Sequence, residues 1–362
     1  MRILQVLNDH ERGGVATLAQ IIEHGLRPRG FVFETEHVYP RPGLPKLLKL
    51  ACAAAMARRI LRGGYDVLIA YQATASILVG AVGWLAGCRV RIVHQTCTPG
   101  ETALPVRLAD RLVGALGLYT ANVANSIATR AEFTRYPARY RRAMTLIEHG
   151  IDPPVPTRTR GATRSHFGLP RTAPVLLNVG RLVAQKNQSV LIRALAALPD
   201  AHLAVAGGGA DAEAHRALAA DLGVADRLHL LGPLPPADIP DLYAACDLFV
   251  FPSTWETFGL AAVEAAMLGT PMVVADLAVL REVLSSEAPQ PVAFVPPHDG
   301  VGWTSAIRAA LAAPPTPEVT AAFAREIAAK YSRERMIEGY VRLLQPSGAG
   351  PAWNGVAQEM SV

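Results

Sequence analysis

The 362-residue sequence has only four cysteines, Cys52, Cys88, Cys97 and Cys246, with no CxxC pair and no histidine at zinc-site spacing. That excludes a structural zinc cluster and a disulfide framework, and the thiols are expected to be reduced, buried small hydrophobes. Long apolar runs are also missing. The longest, Ala75 to Cys88, falls short of the ~18 residues a membrane-spanning helix needs. Ile3 to Leu7, followed at once by Asn8, Asp9 and His10, is too short for the apolar core of a secretory leader. Solenoid-period repeats and low-complexity tracts are absent. These gaps predict a cytoplasmic chain, or one held peripherally at the inner face of a membrane.

What is present is bulk apolar content. Hydrophobic residues make up 51% of the chain and charged ones 18%, with mean hydropathy +0.22. Substantial cores can form, and the length suits two domains better than one. The net charge of +5 divides unevenly: residues 1–158 carry 20 Lys/Arg against 11 Asp/Glu, and the remainder 15 against 19. A basic first half fits an anionic acceptor, an acidic lipid surface or a nucleic acid. No nucleic-acid recognition motif accompanies the charge, so that class is set aside.

Ile3 to Leu7 reads as a buried strand, after which Gly13 and Gly14 introduce a helix from about Val15 to Leu26. Short apolar runs at Val67 to Ala70, Val90 to His94, Tyr119 to Ala124 and Met144 to Ile147 alternate with helical stretches, the pattern of a parallel, doubly wound α/β sheet. Pro153 to Arg164 is rich in Pro, Thr and Arg without apolar periodicity and reads as a linker. The alternation resumes at Val175 to Val179 and continues through Leu203 to Ala206, Leu228 to Leu231, Leu248 to Phe251, Met272 to Ala275 and Ala293 to Val295. The expected domains are 1–158 and 159–345, the second ending in an amphipathic helix capped by Ser332 that could return to the first domain. Residues 346–362 are expected to form a loose tail.

Three segments carry candidate chemistry. Pro252 to Ala265 places Glu256 in a loop at the C-terminal edge of a parallel strand and Glu264 in the helix that follows, with Phe258, Gly259 and Leu260 between them. Open α/β sheets bind ligands at that edge, and carboxylates there accept hydrogen bonds from vicinal hydroxyls. Equally, Glu256 could cap the helix and Glu264 solvate its face. Asn178 to Asn187 offers Gly180, Arg181 and Lys186 ahead of a helix, an arrangement suited to a diphosphate or, more blandly, a pair of surface cations. The run Gly207, Gly208 and Gly209 after a strand admits a base or phosphate against backbone, or simply makes a tight turn.

In this order, with Leu230-Leu231-Gly232, the glutamates Glu256 and Glu264, Leu268-Gly269-Thr270-Pro271, Leu280-Arg281-Glu282 and Pro297-His298-Asp299, the sequence resembles glycosyltransferase family 4, the retaining GT-B enzymes, across most of residues 1–345. The resemblance implies two Rossmann-like domains facing across a cleft, the first for the acceptor and the second for a nucleotide-sugar donor, a UDP-sugar or GDP-sugar. It implies that Arg181 and Lys186 hold the donor diphosphate, Glu256 faces the sugar and Glu264 binds ribose hydroxyls. Gly13 and Gly14 match the family's glycine turn. His94 resembles the histidine lining the donor sugar and acceptor, although a satisfied histidine at a strand terminus is the alternative. No cofactor or metal is implied, and a glycan or lipid-linked acceptor of surface polysaccharide or glycolipid synthesis is.

Two departures stand out. His149 replaces the asparagine of the family's hinge loop, and Ala278 and Val279 replace a glycine pair whose backbone meets the donor. Side chains at the latter positions are expected to obstruct that contact. They keep open a nucleotide-sugar-binding protein with lost or altered activity, and a GT-B-fold sugar-nucleotide epimerase stands beside it as a second enzyme reading. Pro45 to Arg62 sets leucines and alanines beside Lys46, Lys49, Arg58, Arg59 and Arg62, which suits either an anionic membrane surface or an ordinary solvated helix. Arg135, Arg139, Arg141 and Arg142, with Tyr136 and Tyr140, add a second basic cluster.

Overall fold

Runs of β-branched and aliphatic residues buried on both faces pair only in parallel here, because a helix follows nearly every strand and returns the chain to the same edge. The computed structural model describes residues 1–8, 14–41 and 43–344. Strands β1 (Arg2–Leu7), β2 (Val32–His37), β3 (Val67–Ala70), β4 (Val90–His94), β5 (Ala121–Ala124) and β6 (Met144–Leu146) form one sheet in the order β2-β1-β3-β4-β5-β6. Strands β7 (Val175–Val179), β8 (His202–Ala206), β9 (Leu228–Gly232), β10 (Leu248–Phe251), β11 (Met272–Ala275) and β12 (Val292–Val295) form the other, in the order β12-β11-β10-β7-β8-β9.

Strand β2 is absent from the sequence expectation. Its residues Val-Phe-Glu-Thr-Glu-His bury only Phe33. An edge strand has one covered flank and a polar exposed one, so no apolar run marks it.

In the first domain, helices α1 (Gly14–Leu26), α2 (Lys46–Gly63), α3 (Ala73–Leu85) and α4 (Leu104–Ala115) sandwich the sheet, and the short α5 (Ile127–Ala131) follows β5. Alternation along β1 sends Ile3 and Leu7 to the side of α1, and Leu4 and Val6 to the side of α2, α3 and α4. The second domain packs around Phe249, Phe251, Val263, Val273 and Trp303.

The predicted linker is correct only in part. Residues 153–158 carry no regular structure, whereas Arg160–His166 is a helix whose cap, the Thr159 side chain, accepts from the Ala162 amide. The terminal helix Arg333–Leu344 crosses back and buries Met336, Ile337, Tyr340 and Leu344 in the first-domain core. Ile151 and Ser332 form a bridge where the chain crosses twice, and a side chain on Gly150 would overlap the Ser332 carbonyl. The expected tail, residues 346–362, lies outside the described residues.

Candidate functional site

A doubly wound sheet opens a crevice where strand order reverses. In the second sheet that point lies between β7 and β10, which pair through Leu248 with Leu176 and Phe249 with Leu177. The loops leaving these two strands are the Gly180 to Lys186 and Pro252 to Gly259 segments singled out from sequence.

Buried amides sew them together. Asn178 donates from Nδ2 to the Val250 carbonyl at 2.8 Å, and Gln188 donates to the Arg181 carbonyl at 2.9 Å. Asn187, in left-handed backbone at φ 51°, donates to the Pro252 and Pro297 carbonyls. The Thr254 amide donates to the Gln185 carbonyl at 2.8 Å, and Gln185 Nε2 to the Trp255 carbonyl at 3.0 Å. Both loops therefore present their tips as one rigid surface.

On that surface Lys186 Nζ is ion-paired and hydrogen-bonded with Glu256 Oε1, and lies 5.0 Å from the centre of the Phe251 ring. Both side chains are mostly buried, at 15% and 9% exposure. Arg181 is exposed at the same rim. Glu264 is half-buried, with Tyr243 donating to Oε2 at 2.9 Å. Burial pushes its carboxyl above the usual range, and the Tyr243 hydrogen bond opposes the rise. Tyr243 carries no sequence signal as a site residue, since it sits on the helix Ile239–Ala245, 21 positions away.

Phe258 is buried at 2% exposure and packs edge-on against His149 and Tyr331. Its ring belongs to the core. What its segment offers is backbone: Gly259, at φ 86°, starts the helix Leu260–Met267, and the amides of Phe258, Gly259 and Leu260 have no acceptor among the described residues. Such amides are anion donors at the positive end of a helix dipole. Gly14 approaches this point from the other domain, where an added Cβ would sit 3.2 Å from Leu260 Cδ1. Gly13 lies outside the described residues.

The glycine run serves packing first. A methyl on Gly207 would overlap the Gly180 carbonyl, and one on Gly209 the Leu182 carbonyl, so both are required for β8 to abut the turn after β7. Gly208 alone keeps ordinary space, with Pro233 at 3.4 Å. At the departure from the glycine pair, Val279 is buried in the core cluster while Ala278 is exposed at the start of the helix Ala278–Val283. Only one methyl faces outward, so the expected obstruction shrinks to Ala278.

His94 needs a correction. Its ring is 3% exposed, stacked on Tyr71 with centroids 4.5 Å apart. Because a carbonyl only accepts, Nδ1 donates to Ala70 at 2.8 Å, and Nε2 accepts from the Tyr340 hydroxyl at 2.7 Å. Desolvation pulls its pKa down to about 4. Both nitrogens being taken, the neutral ring props the β4 terminus against the last helix. His149, next to Phe258, accepts from Asn125 Nδ2 at 3.0 Å, and burial pulls its pKa to about 3.

The sequence did not reveal how the domains meet. Glu282 reaches across to accept from the Ile127 and Ala128 amides at 2.7 and 2.8 Å, capping α5 of the other domain. The Thr257 carbonyl accepts from Ser126 and Thr129, and its hydroxyl oxygen accepts from Asn125. Among the described residues no cluster of His, Cys, Asp or Glu could hold a metal ion.

A family model described as glycosyl transferases group 1 matches residues 160–327. The D-inositol 3-phosphate glycosyltransferase of Xylanimonas cellulosilytica is 32% identical over 277 residues, covering 69% of this chain and 64% of the relative, just under two thirds of its length. The protein of the same name from Saccharomonospora viridis is 31% identical over 336 residues, covering 83% and 74%. Among solved structures, Anabaena HepE in complex with UDP and glucose superposes with a TM-score of 0.78 at 20% identity, covering 95% of this chain and 99% of that one. WaaG, a glycosyltransferase of lipopolysaccharide biosynthesis, does so at 0.71 and 17%, covering 96% and 100%. These likenesses fix the fold as GT-B.

Proposed function

The chain belongs to the glycosyl transferases group 1 family, and from that premise we propose that it transfers a sugar, with retention of configuration, from a nucleotide-diphosphate-sugar to a glycan or lipid-linked acceptor. The observation that carries this reading is the convergence at the β7/β10 switch point of Lys186, Arg181, Glu256, Glu264 and the open amides of residues 258–260.

In this reading the diphosphate lies on the amides at the start of the helix Leu260–Met267 and draws Lys186 and Arg181 onto its oxygens. Two cations and a helix N-terminus offset the leaving group's charge as the glycosidic bond breaks, which supports a metal-independent reaction. Lys186 exchanges one anionic partner for another, so donor binding releases Glu256 to the sugar hydroxyls. Glu264, held through Oε2 by Tyr243, turns Oε1 to the ribose hydroxyls. Gly14 closes the site from the acceptor side. His94 and Phe258 act as positioning residues behind the cleft wall. Structural relatives with UDP or UDP-glucose bound make UDP the first nucleotide to try and GDP the second. Surface polysaccharide or glycolipid synthesis in the cytoplasm is the setting in which such an acceptor occurs.

The test is thermal shift and calorimetry with UDP, GDP, ADP and their sugars, with and without magnesium, on the wild type and Glu264→Ala. Selective, magnesium-independent stabilisation by one nucleotide, weakened in the variant, is expected. No stabilisation by any nucleotide would sink the proposal. Once a donor is found, the anomeric configuration of the transferred sugar, read by NMR, decides retention.

A further inference from the structure

The helices α2, α3 and α4 cover one face of the first sheet, and their outer side carries large exposed apolar side chains among its basic ones. Helix α4 presents Leu104, Leu108 and Leu112, with Leu116 just beyond its end, at exposures of 56%, 54%, 60% and 56%. Residues four apart stack on one helical face, so these leucines form a continuous ridge. The adjacent end of α3 adds Trp84 and Leu85 at 56% and 67%, and the start of α2 adds Leu47 and Leu50 at 82% and 68%. A patch of this kind marks an interaction surface.

The charge beside the ridge is mainly basic, although Glu101 is exposed just ahead of Leu104. Residues 46–116 contain nine Lys/Arg and three Asp/Glu. One of the acids, Asp110, is buried and accepts from Tyr119 and Tyr140. Arg111 lies over Tyr136 at 5.5 Å, and Arg139 packs beside Gly117 and reaches the Leu116 carbonyl at 3.4 Å. Both guanidinium groups therefore stand next to the leucines. Leucines immersed in acyl chains, with arginines reaching up to phosphate, is how a helix lies in an anionic membrane interface.

We infer that the outer face of α2, α3 and α4, centred on the α4 leucine ridge, docks on an anionic lipid bilayer. Because a helix that follows a parallel strand starts at that strand's C-terminal edge, Leu104 marks the cleft end of the ridge and Leu116 the far end. A lipid-linked acceptor held in the bilayer thereby reaches the cleft along α4. This deepens the lipid-linked arm of the proposed function and rests on it. It also moves the contact from the basic α2 helix alone to a three-helix face.

The full chain is sedimented with vesicles of phosphatidylglycerol and phosphatidylethanolamine and, separately, with phosphatidylcholine vesicles. Leu108→Asp/Leu112→Asp is compared with Val301→Asp, an equally simple change at a 79% exposed position on the second domain. Binding to the anionic vesicles only, weakened on the order of 100-fold in the double variant and unchanged in Val301→Asp, is expected. No wild-type binding, or equal binding by the double variant, would overturn the inference. So would a wild-type dimer that the double variant turns into a monomer, since a second copy would then own the face. Nucleotide-induced stabilisation is measured on the same samples. Its presence without vesicle binding refutes the docking face alone, and its absence in the wild type refutes the donor site.

Discussion

Lys186 and Glu256, 70 positions apart in sequence, meet as a mostly buried ion pair over the ring of Phe251 at the point where the second sheet changes direction. The pair engages Glu256 Oε1 and one ammonium hydrogen of Lys186, which leaves Glu256 Oε2 and two further N–H donors. Under the proposed function a diphosphate would offer Lys186 a competing anion and draw it from Glu256, which links donor binding to the freeing of that carboxylate.

Replacing either partner should then give different signatures. Lys186→Met is expected to weaken nucleotide binding and lower kcat/KM by ~100-fold or more, as when a donor to a developing anion is removed. Glu256→Gln is expected to lower kcat to a similar degree while nucleotide affinity holds or rises, because Lys186 is no longer engaged. Calorimetry with the nucleotide and steady-state kinetics distinguish the two, and equal loss of affinity in both would refute the exchange.

The glycines divide into required and tolerant positions. Gly207→Ala forces a methyl into the Gly180 carbonyl and should destabilise the protein by about 2 kcal/mol or more. Gly161, in the helix Arg160–His166 with nothing near an added Cβ, should gain about 0.5 kcal/mol on change to Ala. Denaturant melts of both variants provide the comparison.

Glu282 couples the domains by capping α5. Glu282→Ala is expected to cost about 1 kcal/mol, the usual price of a lost cap, and to enlarge the radius of gyration measured by small-angle scattering. An unchanged scattering curve would show that the contact does not hold the domains together.

Stability should fall on acidification through a window set by two histidines. His94 and His149 fold as neutral rings with pKa values of about 4 and about 3 against an ordinary 6.5. Below pH 6.5 the unfolded chain binds protons that the folded one refuses, so stability is complete above that value and is lost as pH drops toward the folded pKa values. For His94 the full shift corresponds to roughly 3 kcal/mol. His149→Asn should make thermal melting less sensitive to pH between about 7.5 and 5, by up to one proton. An unchanged pH dependence would refute burial of the neutral His149 ring.

Much of this protein was legible in one dimension. The apolar runs of β1, β3, β4, β7, β8, β10 and β11 announce themselves because a strand covered on both faces must be apolar throughout, a local property. The candidate site residues Arg181, Lys186, Glu256 and Glu264 and their family resemblance were equally readable, since strand, turn and helix succeed one another within a few residues.

What the tertiary structure decided are the matters of pairing. Strand β2 carries no periodic signal because its neighbour, not its composition, makes it a strand. His94 looked like a cleft residue until Tyr340, 246 positions later, occupied its second nitrogen. Glu282 became the cap of a helix 155 positions away. The α4 leucines, which any helical pattern would have buried, are exposed because Val113 and the buried Asp110 already face the core. A sequence fixes which groups are near along the chain, whereas the partner that satisfies a buried polar atom, or leaves an apolar face uncovered, is chosen only when distant segments pack.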